Sequence, residues 1–260
     1  MAEHGVLLTV AYDGTAYSGW AAQQGQERTV ESTLHAAVLS IDSHASKLRG
    51  TSRTDAGVHA EHQLVAFDAA LDIEPRGWVM AVNSHLPDDV AVRAARHTTL
   101  GFAPRHASRS KRYRYRLLLD LVRDPLERTR AWRVGYAIDR DKLSRACADL
   151  VGTHDFAAFR SAKDERTVTV RTLTRVAVEP LAGNVLSIAV EGGAFMHNMV
   201  RIIVGTLVDV ARGRLDGDAI ARAFDTKERS ALGMTAPAHG LTLEHVELDL
   251  PEGTSPPWPP

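Results

Sequence analysis

Apolar and polar residues alternate along several short stretches in the first half of the chain, a pattern typical of strands with one buried face. These stretches predict strands at residues 5–11, 47–51, 63–68 and 91–97. Residues 30–41 and 76–84 instead repeat their apolar positions every three to four residues, which predicts helices, and Thr29 is a suitable N-cap for the first. The predicted order of elements is therefore β-α-β-β-α-β.

The second half of the chain shows a similar order of elements without repeating the sequence of the first. Strands are predicted at residues 111–119, 171–179, 185–191 and 241–248, and helices at residues 139–151 and 196–213. The expected fold class is α+β. Two tandem ferredoxin-like, or RRM-like, α/β halves would each form an antiparallel sheet flanked by helices, with the active-site cleft between them.

The boundary between the two halves is expected near residues 104–110. Residues 1–107 would form an N-terminal α/β domain, and residues 108–250 a C-terminal α/β domain. Residues 251–260 are rich in proline and show no apolar period, so we expect them to be a disordered tail.

Asp55 is the first candidate for chemistry. It follows Arg53 and precedes Gly57 on the connection between two predicted strands, where binding and catalytic groups concentrate on rigid scaffolds. A carboxylate between a cation and a glycine turn suits a nucleophile or a general base. The alternative is structural, because Asp-x-Gly segments are common in turns, where the aspartate caps its own backbone.

A basic stretch between residues 105 and 116 contains no acidic residue, although the net charge of the chain is only −1. Its basic side chains are Arg105, His106, Arg109, Lys111, Arg112, Arg114 and Arg116. A strand would place Tyr113 and Tyr115 on one face and the interleaved arginines on the other, so that one face could contact phosphates while the other offers rings. The alternative is an ordinary solvated charged face.

Arg201 is the third candidate, because it lies inside the strongly apolar helix predicted at residues 196–213. A guanidinium cannot lose its proton, so a buried one requires an anionic partner. We predict that this partner is Asp55. The alternative is that Arg201 extends to solvent near the start of the helix.

Composition limits the remaining possibilities. Cys147 is the only cysteine, which excludes an internal disulfide and a site of four thiolates and is consistent with a cytoplasmic protein. No secretory signal is visible, and the most apolar stretch, residues 196–211, is interrupted by Arg201 and Asp209, so no membrane span is expected.

Several blocks, in order along the chain, resemble the tRNA pseudouridine synthase A family from about residue 8 to residue 246. They include Tyr12-Asp13-Gly14-x-x-Tyr17-x-Gly19-Trp20, Arg53-Thr54-Asp55-Ala56-Gly57-Val58-His59-Ala60, Ser110-Lys111-Arg112-Tyr113-Arg114-Tyr115, Phe195-Met196-x-x-Met199-Val200-Arg201 and Ala236-Pro237-Ala238-x-Gly240-Leu241. The resemblance implies isomerisation of uridine to pseudouridine at positions 38, 39 and 40 of the anticodon stem-loop of tRNA. It also implies a homodimer that needs no metal and no nucleotide or other cofactor.

The resemblance also implies roles for individual residues. Asp55 matches the essential aspartate of the family, and Arg53 the arginine of the same loop. Tyr113 matches the tyrosine that packs on the target uracil, and Arg201 the basic partner of the aspartate. Leu241 matches a substrate-binding position. Arg112 and Arg114 would bind the substrate through phosphates.

The chemistry leaves three routes open for Asp55. Its carboxylate could attack C1′ of the ribose, attack C6 of the base or remove the C2′ proton, and each route requires the ionised form. The group that transfers the proton at C5 of the uracil is also open, with Tyr113 as a candidate.

Two other functions remain as alternatives. A non-catalytic RNA-binding protein could use the same pattern of arginine and tyrosine. A metal-dependent hydrolase is suggested by His59-x-x-His62, although that segment is predicted as loop and strand. Tyr17 and Trp20 could form a stacking site, but aromatic residues of this kind are more often part of a core.

Overall fold

The computed structural model describes residues 3–21, 27–161, 164 and 166–259. The chain divides into two compact units. Unit 1 comprises Met1–Arg109 and Leu243–Pro260, and unit 2 comprises Ser110–Thr242. Within the described residues the protein is a mixed α+β structure with mostly antiparallel strands and five α-helices, as the sequence predicts for the fold class.

The strand pairs described in the N-terminal part of unit 1 are antiparallel. The strands of unit 1 are β1 (His4–Tyr12), β2 (Arg49–Gly50), β3 (His59–Ala69), β4 (Val90–Thr98) and the later part of β10 (Leu241–Leu248), and its helices are α1 (Val30–Leu39) and α2 (Pro75–Asn83). Strand β1 lies between β3 and β4, while β2 pairs with β3. Strand β3 begins four residues before the predicted position, because Tyr12 at the end of β1 pairs with Ala60.

The core of unit 1 lies between the sheet and its helices. Phe67 of β3 contacts Trp78 of α2 edge to face, with ring centroids 5.1 Å apart. Helix α1 begins at a capping box, in which Thr29 and Ser32 each accept a backbone N–H from the other, as the sequence predicts for Thr29. The helix then buries Leu34 and Val38. Burial of these apolar faces fixes the strands on either side of the loop that carries Asp55.

Unit 2 contains a second, mostly antiparallel group of strands. Its strands in chain order are β5 (Ser108–Leu118), β6 (Trp132–Arg133), β7 (Gly152–Asp155), β8 (Val170–Pro180) and β9 (Val185–Gly192), and its helices are α3 (Arg140–Ala148), α4 (Met199–Ala211) and α5 (Ala219–Thr226). The spatial order is β5-β9-β8-β7. Tyr113 and Tyr115 of β5 lie opposite Val190 and Ile188 of β9 and face the core. Helix α4 is almost entirely buried, as its sequence predicts.

The predicted disordered tail is wrong. Within residues 251–259, Trp258 and Ala95 exchange backbone hydrogen bonds of 2.8 and 3.0 Å, and Ser255 accepts the N–H of His97 at 2.9 Å. The guanidinium of Arg76 lies 5.7 Å from the centre of the Trp258 ring. The physical reason is that β4 is an edge strand whose free backbone groups can pair with any extended segment, whether or not that segment has an apolar period.

The compact units also differ from the predicted domains at the closing strand. Residues 243–250 were expected in the second domain, but they belong to unit 1 together with the tail. The reason is that β10 lies beside β3. Among the helices of the described chain, none combines the length and the apolar character that crossing a bilayer would require.

Candidate functional site

Asp55 lies in the loop between β2 and β3, residues 51–58, which we call the Asp loop. The loop turns at Gly57, whose φ of 79° is favourable for glycine, and the N–H of Val58 donates to the carbonyl of Asp55 at 3.1 Å. Asp55 is half-buried, and Arg53 is exposed. The turn therefore presents a carboxylate near the surface on a short, closed loop.

Buried neutral groups hold both sides of this loop. The hydroxyls of Tyr12 and Thr54 share a hydrogen bond of 2.7 Å, directly before Asp55. At the start of the loop the fully buried Gln63 donates to the carbonyl of Ser52 at 2.6 Å and accepts the hydroxyl of Thr51 at 2.6 Å. Each buried partner would be costly to leave unpaired, so these bonds restrict the loop to one conformation.

The segment after β1 supports the Asp loop from the other side. The N–H of Trp20 donates to the carbonyl of Thr54 at 3.0 Å. Gly19 has a φ of 102°, and a Cβ there would lie only 2.8 Å from the same carbonyl. A side chain at this position would therefore push the Asp loop away. Gly19 and Trp20 belong to one of the sequence blocks that resemble the family, and Thr54 belongs to another. This contact therefore brings the two blocks together in the structure.

Tyr17 and Trp20 are core residues rather than an open stacking site, and both are almost fully buried. The Tyr17 hydroxyl donates to Asp89 at 2.5 Å and accepts from Arg28 at 2.8 Å. Burial and the hydrogen bond to the Asp89 carboxylate raise the pKa of the Tyr17 phenol well above its usual value. The hydroxyl therefore remains a donor at physiological pH.

Tyr113 lies on the core face of β5, with 7% of its surface exposed. Its ring meets that of Phe195 nearly at right angles, with centroids 5.0 Å apart. Its neighbour Tyr115 is fully buried and donates to the carbonyl of Pro237 at 2.7 Å. Burial raises the pKa of the Tyr115 phenol, and the charge of Arg201 opposes this rise. Aromatic contacts of this geometry are favourable and fix the orientation of a ring.

Arg201 lies in the first turn of α4 and is partly buried. Its Nε donates to the carbonyl of Ala236 at 2.8 Å, and its Nη1 donates to the side chain of Asn198 at 2.8 Å. The guanidinium is therefore oriented by two oxygens of its own unit. Leu241 is also buried, at the start of β10. The pairing of Arg201 with Asp55 stays a prediction.

The basic strand has the predicted alternation. Its arginines are half-buried on the face opposite the tyrosines. Arg112 forms an ion pair of 2.9 Å with Glu179 and approaches Glu191 at 3.5 Å, and Arg116 lies 2.7 Å from Glu127. A phosphate at Arg112 must therefore compete with two carboxylates. Phosphate binding by Arg112 and Arg114 stays a prediction.

The structure also identifies residues that the sequence analysis missed. Asp164 has a side chain only 3% exposed, and its Oδ2 accepts the N–H of His197 at 2.8 Å. Burial raises the pKa of the Asp164 carboxyl, but hydrogen bonds from His197 and Arg166 and the charge of Arg166 outweigh this, so that its pKa lies below the usual value. Neither Asp164 nor Gln63 stands in a recognisable motif.

The two histidines that suggested a metal site lie on strand β3 and contact different partners. Nδ1 of His59 accepts the N–H of Gly14 at 3.1 Å. The ring of His62 stacks on His245, with centroids 4.6 Å apart. Among the described residues, no group of three or more His, Cys, Asp or Glu side chains could hold a metal ion.

Comparison with known proteins identifies the family of this chain. A family model described as tRNA pseudouridine synthase matches residues 8–105 and 146–249. The chain is 40% identical over 239 residues to the tRNA pseudouridine synthase A of Myxococcus xanthus, covering 92% of this chain and 90% of the relative. It is also 40% identical over 242 residues to that of Geobacter sp. (strain M21), covering 93% and 97%.

A third relative is the tRNA pseudouridine synthase A of Halalkalibacterium halodurans, 39% identical over 235 residues and covering 90% of this chain and 89% of the relative. A chain of a solved Cbf5-Nop10-Gar1 complex is 14% identical, with a TM-score of 0.31, covering 81% of this chain and 55% of that one, and this likeness carries no argument. On the family model and the near full-length relatives, the chain belongs to the tRNA pseudouridine synthase family.

Proposed function

We propose that this protein isomerises uridine to pseudouridine at positions 38, 39 and 40 in the anticodon stem-loop of tRNA. The observation that carries the proposal is Asp55 on a loop held by buried hydrogen bonds, in a chain that aligns over nine-tenths of its length with a tRNA pseudouridine synthase A. The protein is then an isomerase that requires no metal and no nucleotide or other cofactor.

The proposal extends to architecture and assembly. The two units would be tandem ferredoxin-like halves, and the order β1-α1-β2-β3-α2-β4 with its antiparallel pairing supports this for unit 1. In unit 2 the corresponding order is interrupted by β6, β7 and α5. We propose further that the enzyme acts in the cytoplasm as a homodimer.

The reaction moves a bond without changing the composition of the substrate. The bond between C1′ and N1 of uracil breaks, and a bond between C1′ and C5 forms. C5 then loses its proton, and N1 gains a proton. Asp55 assists through C1′ attack, C6 attack or C2′ deprotonation, and all three require its carboxylate to be charged. Arg201 would favour that charged form, because an adjacent cation stabilises a carboxylate.

The remaining predicted residues act on binding. A uridine in a stem must leave the base stack at a cost of about a few kcal/mol. Stacking on Tyr113 would recover about 1–3 kcal/mol of this, since aromatic rings bind bases to that extent. Arg53, which is exposed beside Asp55, would occupy the vacated space or bind the displaced phosphate. Leu241 would line the base pocket, and Arg112 and Arg114 would contact the backbone.

The test is formation of pseudouridine in an unmodified tRNA transcript incubated with the purified protein, located by chemical labelling and sequencing. We expect product at positions 38–40, and none from Asp55→Asn, which keeps the shape of the side chain but loses its charge. Asp55→Asn should still bind tRNA. Asp72→Asn, an exposed aspartate of the same unit, is the matched control and should remain active.

The outcomes separate the two candidate functions. If the wild-type protein binds tRNA and makes no pseudouridine, it is a non-catalytic RNA-binding protein. If Asp55→Asn turns over at the wild-type rate, the reaction does not use this carboxylate.

A further inference from the structure

Two of the proposed site residues of unit 2 depend on one short turn before α4, residues 195–198, which we call the α4 turn. At its first residue, Phe195 packs edge-on against the ring of Tyr113 at 5.0 Å. At its last residue, the side chain of Asn198 accepts a hydrogen bond from Arg201 at 2.8 Å. The position of this turn therefore determines how both the aromatic ring and the guanidinium are oriented.

The conformation of the α4 turn depends on contacts from outside the turn as well as on its own sequence. Asn198 has a φ of 61°, in the left-handed region that residues other than glycine adopt infrequently, although asparagine is more tolerant of it than most. A residue in this region persists when the surrounding structure holds it there. The turn must therefore be held from outside.

Asp164, Arg166 and Ser161 make the contacts that hold the turn. Oδ2 of Asp164 accepts the N–H of His197 at 2.8 Å, while the N–H of Ser161 donates to the His197 carbonyl at 3.1 Å. Nη1 of Arg166 donates to the carbonyl of Phe195 at 2.9 Å, and its Nε lies 3.1 Å from Oδ1 of Asp164. Arg166 thus binds the carbonyl of Phe195, Asp164 binds the N–H of His197, and the backbone of Ser161 binds the carbonyl of His197.

We propose that Asp164 is a positioning residue for the isomerisation: through the α4 turn it fixes the Tyr113 ring and the Arg201 guanidinium in their working positions. This inference rests on the proposed function. Asp164 itself touches neither of these residues in the contacts described above, and it acts only through the backbone of His197 and the side chain of Arg166. Charge-assisted hydrogen bonds that a buried carboxylate accepts are strong enough for this task.

The consequence is a selective loss of turnover. Small displacements of groups that orient a substrate reduce the rate of the chemical step far more than they reduce binding. Asp164→Ala removes the acceptor for His197 and should lower kcat at least tenfold, equivalent to about 1.4 kcal/mol, with KM for tRNA within about twofold. Asp164→Asn keeps an acceptor oxygen but loses the charge that pairs with Arg166, so kcat should still fall, by less than in Asp164→Ala.

A second substitution tests whether the effect runs through the turn. Phe195→Leu removes the ring that orients Tyr113 and should also lower kcat. If Asp164 acts through the same turn, the double variant Asp164→Ala, Phe195→Leu should be much less impaired than the product of the two single effects. Loss of global stability would not produce this dependence.

The matched control is Asp139→Ala. Asp139 also accepts backbone N–H groups in unit 2, from Asp141 and Lys142 at 2.9 and 3.0 Å, but it caps α3 and does not touch the α4 turn. We expect Asp139→Ala to lower the melting temperature with unchanged kcat. An unchanged kcat in Asp164→Ala, or multiplicative effects in the double variant, would overturn the inference. If Asp164→Ala does not fold, Asp164→Asn takes its place, and a wild-type kcat in that variant would overturn the inference. An inactive wild-type protein would instead count against the proposed function.

Discussion

The Asp loop and the α4 turn are both short segments held from outside, but by groups of different kinds. The Asp loop is held by neutral, buried partners, the hydroxyl of Tyr12 and the carboxamide of Gln63. The α4 turn is held by charged ones, Asp164 and Arg166. Neutral supports do not titrate near physiological pH and respond little to salt, whereas charged supports depend on the protonation of an acid. The two regions should therefore lose their conformations under different conditions.

The difference also has a structural origin. Tyr12 and Gln63 lie on strands β1 and β3, which are held by the core of unit 1. Asp164 and Arg166 lie outside any helix or strand. A side chain on a buried strand is fixed by packing, so one neutral hydrogen bond is enough to position a loop. A side chain on an irregular segment is not aligned by the hydrogen bonds of a sheet, and a charge-assisted bond compensates for this.

The largest effect is expected for the predicted pair of Asp55 and Arg201. Arg201→Leu should abolish activity near neutral pH and lower the free energy of unfolding by about 3–5 kcal/mol if the pair is buried. Part of that loss comes from the bonds of Arg201 to Ala236 and Asn198, and a double-mutant cycle with Asp55→Asn separates it. Effects on unfolding that add within about 0.5 kcal/mol would show that Asp55 and Arg201 do not interact.

The second prediction isolates the neutral support. Tyr12→Phe removes the hydroxyl that bonds Thr54, at a cost to stability of about 1 kcal/mol, and should lower kcat because the residue beside Asp55 loses its anchor. Tyr17→Phe is the matched control, since it removes another hydroxyl of unit 1 whose partners are Asp89 and Arg28. The measurements are kcat at saturating tRNA and urea unfolding. An equal fall of kcat in both variants would mean that only stability matters.

The contrast between the two regions explains what the sequence could and could not predict. Periodic apolar positions predicted most strands and helices to within a few residues, and Thr29 was recognisable as a cap because its signal is local. Gln63 was not recognisable, because a polar residue in a strand gives no sign of which backbone groups it will bind. Asp164 bonds a residue 33 positions away, which no local pattern reports. The tail pairs through its backbone, which is independent of side-chain periodicity.

The third prediction concerns the arginines of β5. Replacing Arg112 and Arg114 by glutamine should weaken binding of different tRNAs by similar factors and reduce the log–log salt slope by roughly one unit per lost phosphate contact. Turnover at saturating tRNA should barely change, because neither region that orients the reacting groups is altered. An unchanged slope in a salt titration would mean that the charge of Arg112 serves only Glu179 and Glu191.

The expected effect that is smallest at neutral pH is a difference in acid sensitivity between the two units. Burial, together with the neighbouring His245 and Arg96, lowers the pKa of His62 from the usual 6.5 to about 4. Nδ1 of His62 accepts the N–H of Val246, a bond that the protonated ring cannot accept. The unfolded chain therefore binds this proton more readily, and the contribution of His62 to stability is present above pH 6.5 and lost as the pH falls toward 4.

The carboxyl of Asp164 responds in a lower window. Its pKa lies below the usual value, so its contribution to stability is present above the unfolded pKa of about 3.9 and lost as the pH falls through the folded value. Unfolding by urea at pH 7, 5 and 3.5 can separate the two. His62→Phe should lose less stability than the wild type between pH 7 and 5. Between pH 7 and 5, Asp164→Asn should lose as much stability as the wild type. Between pH 5 and 3.5, it should lose less stability than the wild type. Parallel curves for wild type and His62→Phe would show that His62 titrates alike in the folded and unfolded protein.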